Sequence, residues 1–308
     1  MRDKIVIGTR KSVLALWQAE YVAARLREAY PHVQVELLPV STRGDEILDM
    51  PLAEIGGKGL FIRELEYLIR EGKADMAVHS LKDMPAELPQ DFTLAAVTDR
   101  EDPRDAFVSL KYRSVDELPA GAKVGTSSLR RQSQLLHRRS NLRIESLRGN
   151  VQTRLRKLDE GQYDAVILAA AGLKRLGLGD RIGSYLSTAE SIPAAGQGVM
   201  AVEVRKDDAE LREMLAFLHN EKVASCIAAE RAFLGRVGGD CKVPAGAFAE
   251  VEGERIRVDA FISSEDGQRF YRRSVSGPVP EAEALGASVA GALLDDGGRA
   301  VLEEIAVE

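Results

Sequence analysis

Residues 238–244 read Gly238-Gly239-Asp240-Cys241-Lys242-Val243-Pro244, which puts the Cys241 thiol in a glycine turn where its sulfur can be reached. A reachable thiolate is a nucleophile and a covalent anchor. Three basic segments accompany it: Gly8-Thr9-Arg10-Lys11-Ser12, Gly125-Thr126-Ser127-Ser128-Leu129-Arg130-Arg131 and Leu147-Arg148-Gly149-Asn150. Guanidinium forks match carboxylates in shape and charge. Thr9, Ser12, Thr126 and Ser128 add hydroxyl donors at segments that read as helix starts, where free N–H groups favour anions. The same residue types are ordinary helix N-caps. Two such turns with arginines, at the mouths of facing lobes, favour anion binding over capping alone. The combination points to a polyanionic small molecule tethered to the protein.

Further basic ends follow the same plan. Arg154 lies one turn into the helix after Gly149, whereas Arg156 reads as a solvated face. Lys174 and Arg175 follow Ala169-Ala170-Ala171-Gly172, either as ligand groups or as a solubilising helix terminus. Val78-His79-Ser80-Leu81-Lys82-Asp83-Met84-Pro85 closes an apolar strand with an abrupt polar run, where α/β folds place ligands. Asp83 is open to two readings: a general acid/base or counter-ion to a cation, or the cap of a turn before Pro85. Gly56-Gly57-Lys58-Gly59-Leu60-Phe61 lacks the full phosphate-loop order, which excludes a nucleotide triphosphate site there. It reads either as a mobile loop carrying Lys58 and Phe61 over a cleft or as a plain turn.

These groups need a scaffold, and composition bounds it. The 308 residues suffice for two or three domains, and 45% hydrophobic residues can fill real cores. A formal charge of −6 argues against general nucleic-acid binding. The start, Met-Arg-Asp-Lys-Ile-Val-Ile-Gly, lacks the pattern of a signal peptide, and no apolar stretch is long enough for a bilayer. A cytoplasmic protein without membrane contact is expected. Cys226 lies on an apolar helix and reads as core, and a disulfide with Cys241 is not expected in a reducing compartment. The four histidines lack ligand spacing, so no metal site is expected.

Apolar runs at 4–8, 33–40 and 75–80 alternate with helical patterns at about 14–26 and 59–70, as in an α/β domain with a largely parallel sheet. The first of those helices shows Leu14, Trp17, Tyr21, Val22 and Leu26 on one face. A second unit starts near Asp105, with strands at 106–110, 123–126, 142–146 and 164–169 and helices at 128–138 and 151–160. Its Val124-Gly125-Thr126-Ser127-Ser128 echoes Ile7-Gly8-Thr9-Arg10-Lys11-Ser12. The polar segment 98–104 and the segment 192–198 read as two crossings between the units, the second leading into a strand at 199–204. From about Glu221 a helix through 224–234, the Cys241 loop, strands at 245–251, 255–262 and 269–276 and a helix near 281–294 suggest a small α+β domain.

The motifs together resemble the porphobilinogen deaminase (hydroxymethylbilane synthase) family, over nearly all of the chain. The most specific are Val78-His79-Ser80-Leu81-Lys82-Asp83, Gly125 to Arg131, Leu147-Arg148-Gly149-Asn150, and Ala229-Glu230-Arg231-Ala232-Phe233-Leu234 followed by the Cys241 loop. The resemblance implies an α/β fold with two lobes similar to periplasmic binding proteins around a hinged cleft, plus a small C-terminal α+β domain. The corresponding units are 1–98 plus 199–217, 104–192 and 221–308. It implies a transferase of haem and tetrapyrrole biosynthesis that condenses four porphobilinogen molecules head to tail, with loss of ammonia, and releases hydroxymethylbilane with water. Loss of ammonia leaves an azafulvene-like cation.

The implied cofactor is a dipyrromethane held to Cys241 by a thioether, with Ser12, Lys82, Asp83, Thr126, Ser128, Arg130 and Arg131 around it. Arg10, Gln18, Lys58, Phe61, Ser80, Arg148, Arg154, Arg175 and Gln197 are the implied substrate contacts, and Asp83 the implied catalytic acid. A monomer is implied, with hand-over of product to uroporphyrinogen-III synthase as a further partner. One departure stands out: the family carries Glu-Gly-Gly-Cys where this chain has Gly238-Gly239-Asp240-Cys241. Asp240 disfavours the thiolate beside it, and Lys242 offsets that effect. The competing reading, a two-lobed receptor for an organic anion, explains the arginines but gives Cys241 and Asp83 no work.

Overall fold

Apolar, β-branched runs of five to seven residues form the centre of the first lobe in the computed structural model, which describes residues 2–42, 62–238 and 243–307. Its sheet comprises β1 (Lys4–Arg10), β2 (Gln34–Val40), β3 (Met76–Ser80), β4 (Phe92–Val97) and β10 (Met200–Arg205), in the order β2-β1-β3-β10-β4. The second lobe holds β5 (Asp105–Val108), β6 (Lys123–Gly125), β7 (Arg143–Glu145), β8 (Ala165–Ala169) and β9 (Ser184–Leu186), in the order β7-β6-β8-β5-β9. The two sheets share one plan. The echoing Gly-Thr segments lie at the ends of β1 and β6, which occupy the same place in their sheets.

Neither sheet is purely parallel. β1 runs parallel to β2 and β3, but β10 is antiparallel to β3 and β4. Likewise β6 is parallel to β7 and β8, while β5 is antiparallel to β8 and β9. The reversed strand in each case is the one that a crossing delivers from the other lobe. It enters from the cleft end and therefore runs against its neighbours. Strands β4 and β9 carry weak sequence signals: β9 is three residues long, and β4 follows a proline-rich stretch.

Helix α1 (Val13–Ala29) corrects another expectation. Its buried face is Ala15, Gln18, Ala19, Val22, Ala23 and Leu26, whereas Trp17 and Tyr21 are 36% and 39% exposed and stack on each other. The three alanines let the helix sit close to the sheet, which turns the bulky aromatics to its flank. Helix α2 (Arg63–Arg70) ends as expected at Gly72, whose φ of 67° suits a residue without a side chain. The second lobe carries α3 (Leu129–Arg138), α4 (Val151–Asp159) and α5 (Ala170–Arg175), and α6 (Ala209–Leu215) covers the first.

The C-terminal unit pairs α7 (Glu221–Arg236) and α8 (Ala282–Leu293) over the antiparallel sheet β11 (Ala245–Glu252), β12 (Arg255–Ser263) and β13 (Phe270–Pro278). Phe233, Ile256, Val258, Val289 and Leu293 fill its core. A last helix, α9 (Arg299–Val307), was not anticipated. The two helices touch at Gly286, where a side chain would strike the Ala229 carbonyl.

The two crossings run side by side. Thr98 N donates to Met200 O at 3.0 Å and Glu101 N to Gly198 O at 3.0 Å. The wholly buried Glu230 of α7 fastens the C-terminal unit to both: it accepts from Arg100 Nη2 at 2.7 Å, Gly196 N at 2.7 Å and Ala249 N at 2.9 Å. Removing one partner of a buried ion pair leaves the other charge without compensation. Glu230→Ala is expected to lose about 3–5 kcal/mol of stability in denaturant unfolding, because it strands Arg100 and two backbone N–H groups.

Candidate active site

The basic groups lie where parallel strands end. Arg10 closes β1, Ser80 closes β3, and Thr126, Arg148 and Ala170 follow β6, β7 and β8. Ser12 caps α1, its Oγ accepting from Ala15 N at 3.3 Å, which leaves the hydroxyl hydrogen for another acceptor. At the equivalent place in the second lobe Ser128 makes no side-chain cap bond, and Thr126 Oγ1 accepts from Ser128 N instead. Thr9 turns inward: it is wholly buried and donates to Ala15 O at 3.1 Å. It therefore cannot serve as the ligand donor that its sequence position suggested.

From the first lobe come Gln18, Ser80, Lys82 and Asp83. Gln18 Nε2 donates to Ser80 Oγ at 2.8 Å, fixing the end of β3 against α1. The chain then tightens into a 3₁₀ turn, Leu81–Asp83, with Leu81 in the core, Lys82 half-buried and Asp83 exposed. Burial lowers the Lys82 pKa to about 8; Arg131 pushes the same way, and Asp83 and Asp105 oppose it. Asp83 thus sits among cations of both lobes, since it also acts on Arg154.

From the second lobe come Arg130, Arg131, Arg148 and Arg154. Burial, with Arg131 and Arg148 nearby, lowers Arg154 to about 10 despite Asp83. Its Nε donates to Gly149 O at 2.8 Å, which holds the side chain over the N-terminus of α4. Arg148 Nη1 is buried and has no hydrogen-bond partner among the described residues. Arg175 reaches across to the second crossing, donating to Gly198 O at 2.7 Å, and its guanidinium lies over the Trp17 ring at 5.8 Å. Desolvation lowers its pKa. Lys174 instead pairs with Asp102 at 2.7 Å, and Arg156 pairs with Glu160 on the surface as expected.

Asp105, at the head of β5, belongs to no motif in the sequence, yet it joins much of this assembly. Its carboxylate is wholly buried and accepts from Arg130, Arg131, Ser191 and Gln197. Burial would raise its pKa, but the two guanidiniums hold it well below the usual carboxylate range. A carboxylate opening the buried strand Asp105–Val108 was the available signal. Gln197 is also wholly buried, its amide donating to Pro103 O at 2.6 Å and to Asp105 at 3.1 Å.

Among the described residues, two carboxylates, Asp83 and Asp105, face five cations: Lys82, Arg130, Arg131, Arg148 and Arg154. That surplus, with a buried guanidinium nitrogen lacking an acceptor, suits a guest with several carboxylates. Cys241, Lys58 and Phe61 lie outside the described residues. Soon after Cys241, however, β11 abuts this cluster: a Cβ at Gly246 would come within 2.8 Å of Pro193 O and 3.1 Å of Arg130 Cδ.

Comparison with known proteins decides the lineage. The family model for the porphobilinogen deaminase dipyrromethane cofactor binding domain matches residues 5–213, and that for the porphobilinogen deaminase C-terminal domain matches 224–295. The chain belongs to the porphobilinogen deaminase family. It is 53% identical over 306 residues to the porphobilinogen deaminase of Chromobacterium violaceum, covering 99% of each chain. It is 52% identical over 298 residues to that of Methylobacillus flagellatus, covering 97% of this chain and 96% of the other. Among solved structures it is similar to the methionine-binding protein MetQ, with a TM-score of 0.46, 15% identity and coverage of 70% and 89%.

The family's cofactor domain therefore spans both lobes and carries the cation cluster. Two further titratable groups, Cys226 and His79, are buried elsewhere. Burial pushes the Cys226 thiol up to about 11, as fits a core residue. His79 is paired with the buried Glu203 at 2.9 Å behind Ser80.

The lowered Lys82 pKa has a definite sign. The unfolded chain binds more protons than the folded one between about pH 8 and the ordinary lysine range, so cofactor-free protein gains stability as pH rises through that window. A bound polyanion favours the ammonium, so its affinity is expected to fall above about pH 8. Competitive acylation followed by peptide mass spectrometry should show Lys82 half-reactive near pH 8, well before the exposed lysines; reactivity only with the bulk would contradict the assignment.

Proposed function

We propose that this chain is a porphobilinogen deaminase: a transferase that joins four porphobilinogen molecules head to tail, expels ammonia at each step and releases hydroxymethylbilane with water. The observation that carries the reading is family membership over both lobes and the C-terminal unit, together with the surplus of cations, buried or half-buried, at their meeting point. In this reading a dipyrromethane is held by a thioether to Cys241 and, when bound, supplies the pyrrole carbon to which substrate is added.

The chain's own residues have separable tasks. Arg130 and Arg131 hold cofactor carboxylates, aided by Ser12, Lys82, Thr126 and Ser128. Arg10, Arg148, Arg154 and Arg175 take the acetate and propionate groups of substrate, with Gln18, Ser80, Lys58 and Phe61 completing the contacts. Asp83 is exposed toward the cleft between cations of both lobes. A carboxylate there offsets positive charge that develops as ammonia leaves the substrate's aminomethyl carbon, and can relay a pyrrole proton. Fixed dipoles and charges of this kind need no reorganisation during reaction.

We further infer that the lobes, residues 1–98 plus 199–217 and 104–192, move about the paired crossings as the product lengthens, while 221–308 presents Cys241. A cytoplasmic monomer that hands its product to uroporphyrinogen-III synthase completes the reading. No helix among the described residues is long and apolar enough to cross a membrane, in keeping with a small, charged substrate met in water.

Intact mass spectrometry tests the cofactor directly. Purified protein is expected to exceed its sequence mass by two pyrrole units, and Cys241→Ser to lose that increment. Wild-type protein that stays at its sequence mass after incubation with porphobilinogen would refute the proposal. Asp83→Asn should keep the added mass but fall by about 10²–10³-fold in kcat; near-normal turnover would remove Asp83 from the chemistry.

A further inference from the structure

Asp105 lies at the junction of the lobes, and its carboxylate faces no solvent. One oxygen accepts from Arg131 Nε at 2.9 Å, Arg131 Nη2 at 2.7 Å, Arg130 Nη2 at 3.1 Å and Gln197 Nε2 at 3.1 Å. The other accepts from Arg130 Nη2 at 2.8 Å and Ser191 Oγ at 2.9 Å. A carboxylate offers about four lone-pair sites, so these donors saturate it. It has no lone pair left for substrate and cannot act as a general base.

We propose that Asp105 is a positioning residue for anion binding, one that fixes the orientation of Arg130 and Arg131 and ties that pair to both crossings. The proposal rests on the reading of the site given above. The physical argument begins with the guanidiniums. Asp105 takes the Nε–Nη2 edge of Arg131, and Ile167 O takes an Nη1 hydrogen at 3.2 Å. The rest of the planar fork therefore points in one direction only. Arg130 is held the same way, between Asp105 and Ile192 O at 2.6 Å. One negative charge between two positive ones offsets part of their mutual repulsion yet leaves a net positive charge for an anion.

Ser191 precedes the second crossing and Gln197 lies within it, and Gln197 also bonds to Pro103 O of the first. A change in the angle between the lobes is thus transmitted to the carboxylate that aims both arginines. Asp105 has a second, electrostatic effect. Lys82 faces Arg130, Arg131, Asp83 and Asp105, and Asp105 is one of the two groups that favour its ammonium form. Loss of the Asp105 charge should leave Lys82 neutral at a lower pH.

The test compares wild type, Asp105→Asn and Asp105→Glu as full chains incubated with porphobilinogen. Loading is read by intact mass, steady-state constants across pH, and folding by thermal melting. Asp105→Asn keeps shape but not charge. It is expected to load a smaller fraction, to raise KM about tenfold with a smaller effect on kcat, and to move the alkaline limb of kcat/KM down by about half a pH unit or more. Asp105→Glu keeps the charge but displaces the oxygens, so KM should rise while the alkaline limb stays near its wild-type position.

A drop in melting temperature with loading, KM and the alkaline limb unchanged would mean a purely structural role and overturn the proposal. Should Asp105→Asn fail to fold, a wild-type KM in Asp105→Glu would overturn it equally. Wild-type protein that takes up no pyrrole would instead overturn the functional reading, and this proposal with it.

Discussion

A buried carboxylate between two buried guanidiniums is the interaction on which this architecture rests. Arg130 and Arg131 leave water to reach the junction of the lobes, at a desolvation cost that only an opposite charge nearby can offset. Asp105 supplies that charge, and its position at the first residue of β5 lets it do so without interrupting a strand. The same carboxylate receives Ser191 and Gln197, so the second crossing and the two arginines share one acceptor. A lysine pair would not serve, because point charges lack the planar forks that allow one acid to orient two cations at once.

Glu230 repeats this logic a short distance away. It holds Arg100 of the first crossing and Gly196 of the second, and the Ala249 amide joins the C-terminal sheet to them. The Arg100 guanidinium also lies over the Phe248 ring at 5.1 Å. Two buried acids therefore hold the paired crossings, Glu230 of the C-terminal unit through Arg100 and Gly196 and Asp105 of the second lobe through Gln197. Gly198, with a φ of 86°, runs so close to the Glu101 carbonyl that a side chain could not be placed there. Lobe angle, arginine orientation and the seating of the C-terminal sheet share one small set of contacts.

Much of this was legible in the sequence. Strand–glycine–hydroxyl–helix junctions at Gly8 and Gly125 marked two lobes of like plan, and Arg10, Ser80, Thr126 and Arg148 did fall at or just after strand carboxyl ends. The concentration of cations at the cleft was readable because arginines recur at several such ends. Charge compensation was not readable, since Asp105 and Glu230 find their partners across long sequence separations. The same holds for Trp17 and Tyr21: helical spacing groups them with Val22 and Leu26, but the alanine ridge decides which face meets the sheet. The reversed strands β5 and β10 follow from topology rather than from any local pattern. Thr9 shows the limit of motif logic, because a hydroxyl beside a ligand site can be satisfied by its own helix.

The electrostatics divide labour among groups that look alike in sequence. Arginines keep their charge at any physiological pH and hold fixed directions, so they suit the permanent grip on carboxylates. Lys82 differs, because burial brings its pKa to about 8 and makes its charge depend on what lies beside it. A carboxylate bound beside it would favour the ammonium form. Of the two acids in the cluster, Asp105 is saturated by donors, whereas no hydrogen bond or ion pair holds Asp83 among the described residues. Under the proposed function, that leaves Asp83 to answer a transient positive charge. It stands on the turn after β3 that Gln18 and Ser80 brace from one lobe, facing Arg154 on the other. Asp83 therefore stands beside Arg154, while Arg130 and Arg131 are held from behind by Asp105, whose lone pairs are taken by protein donors.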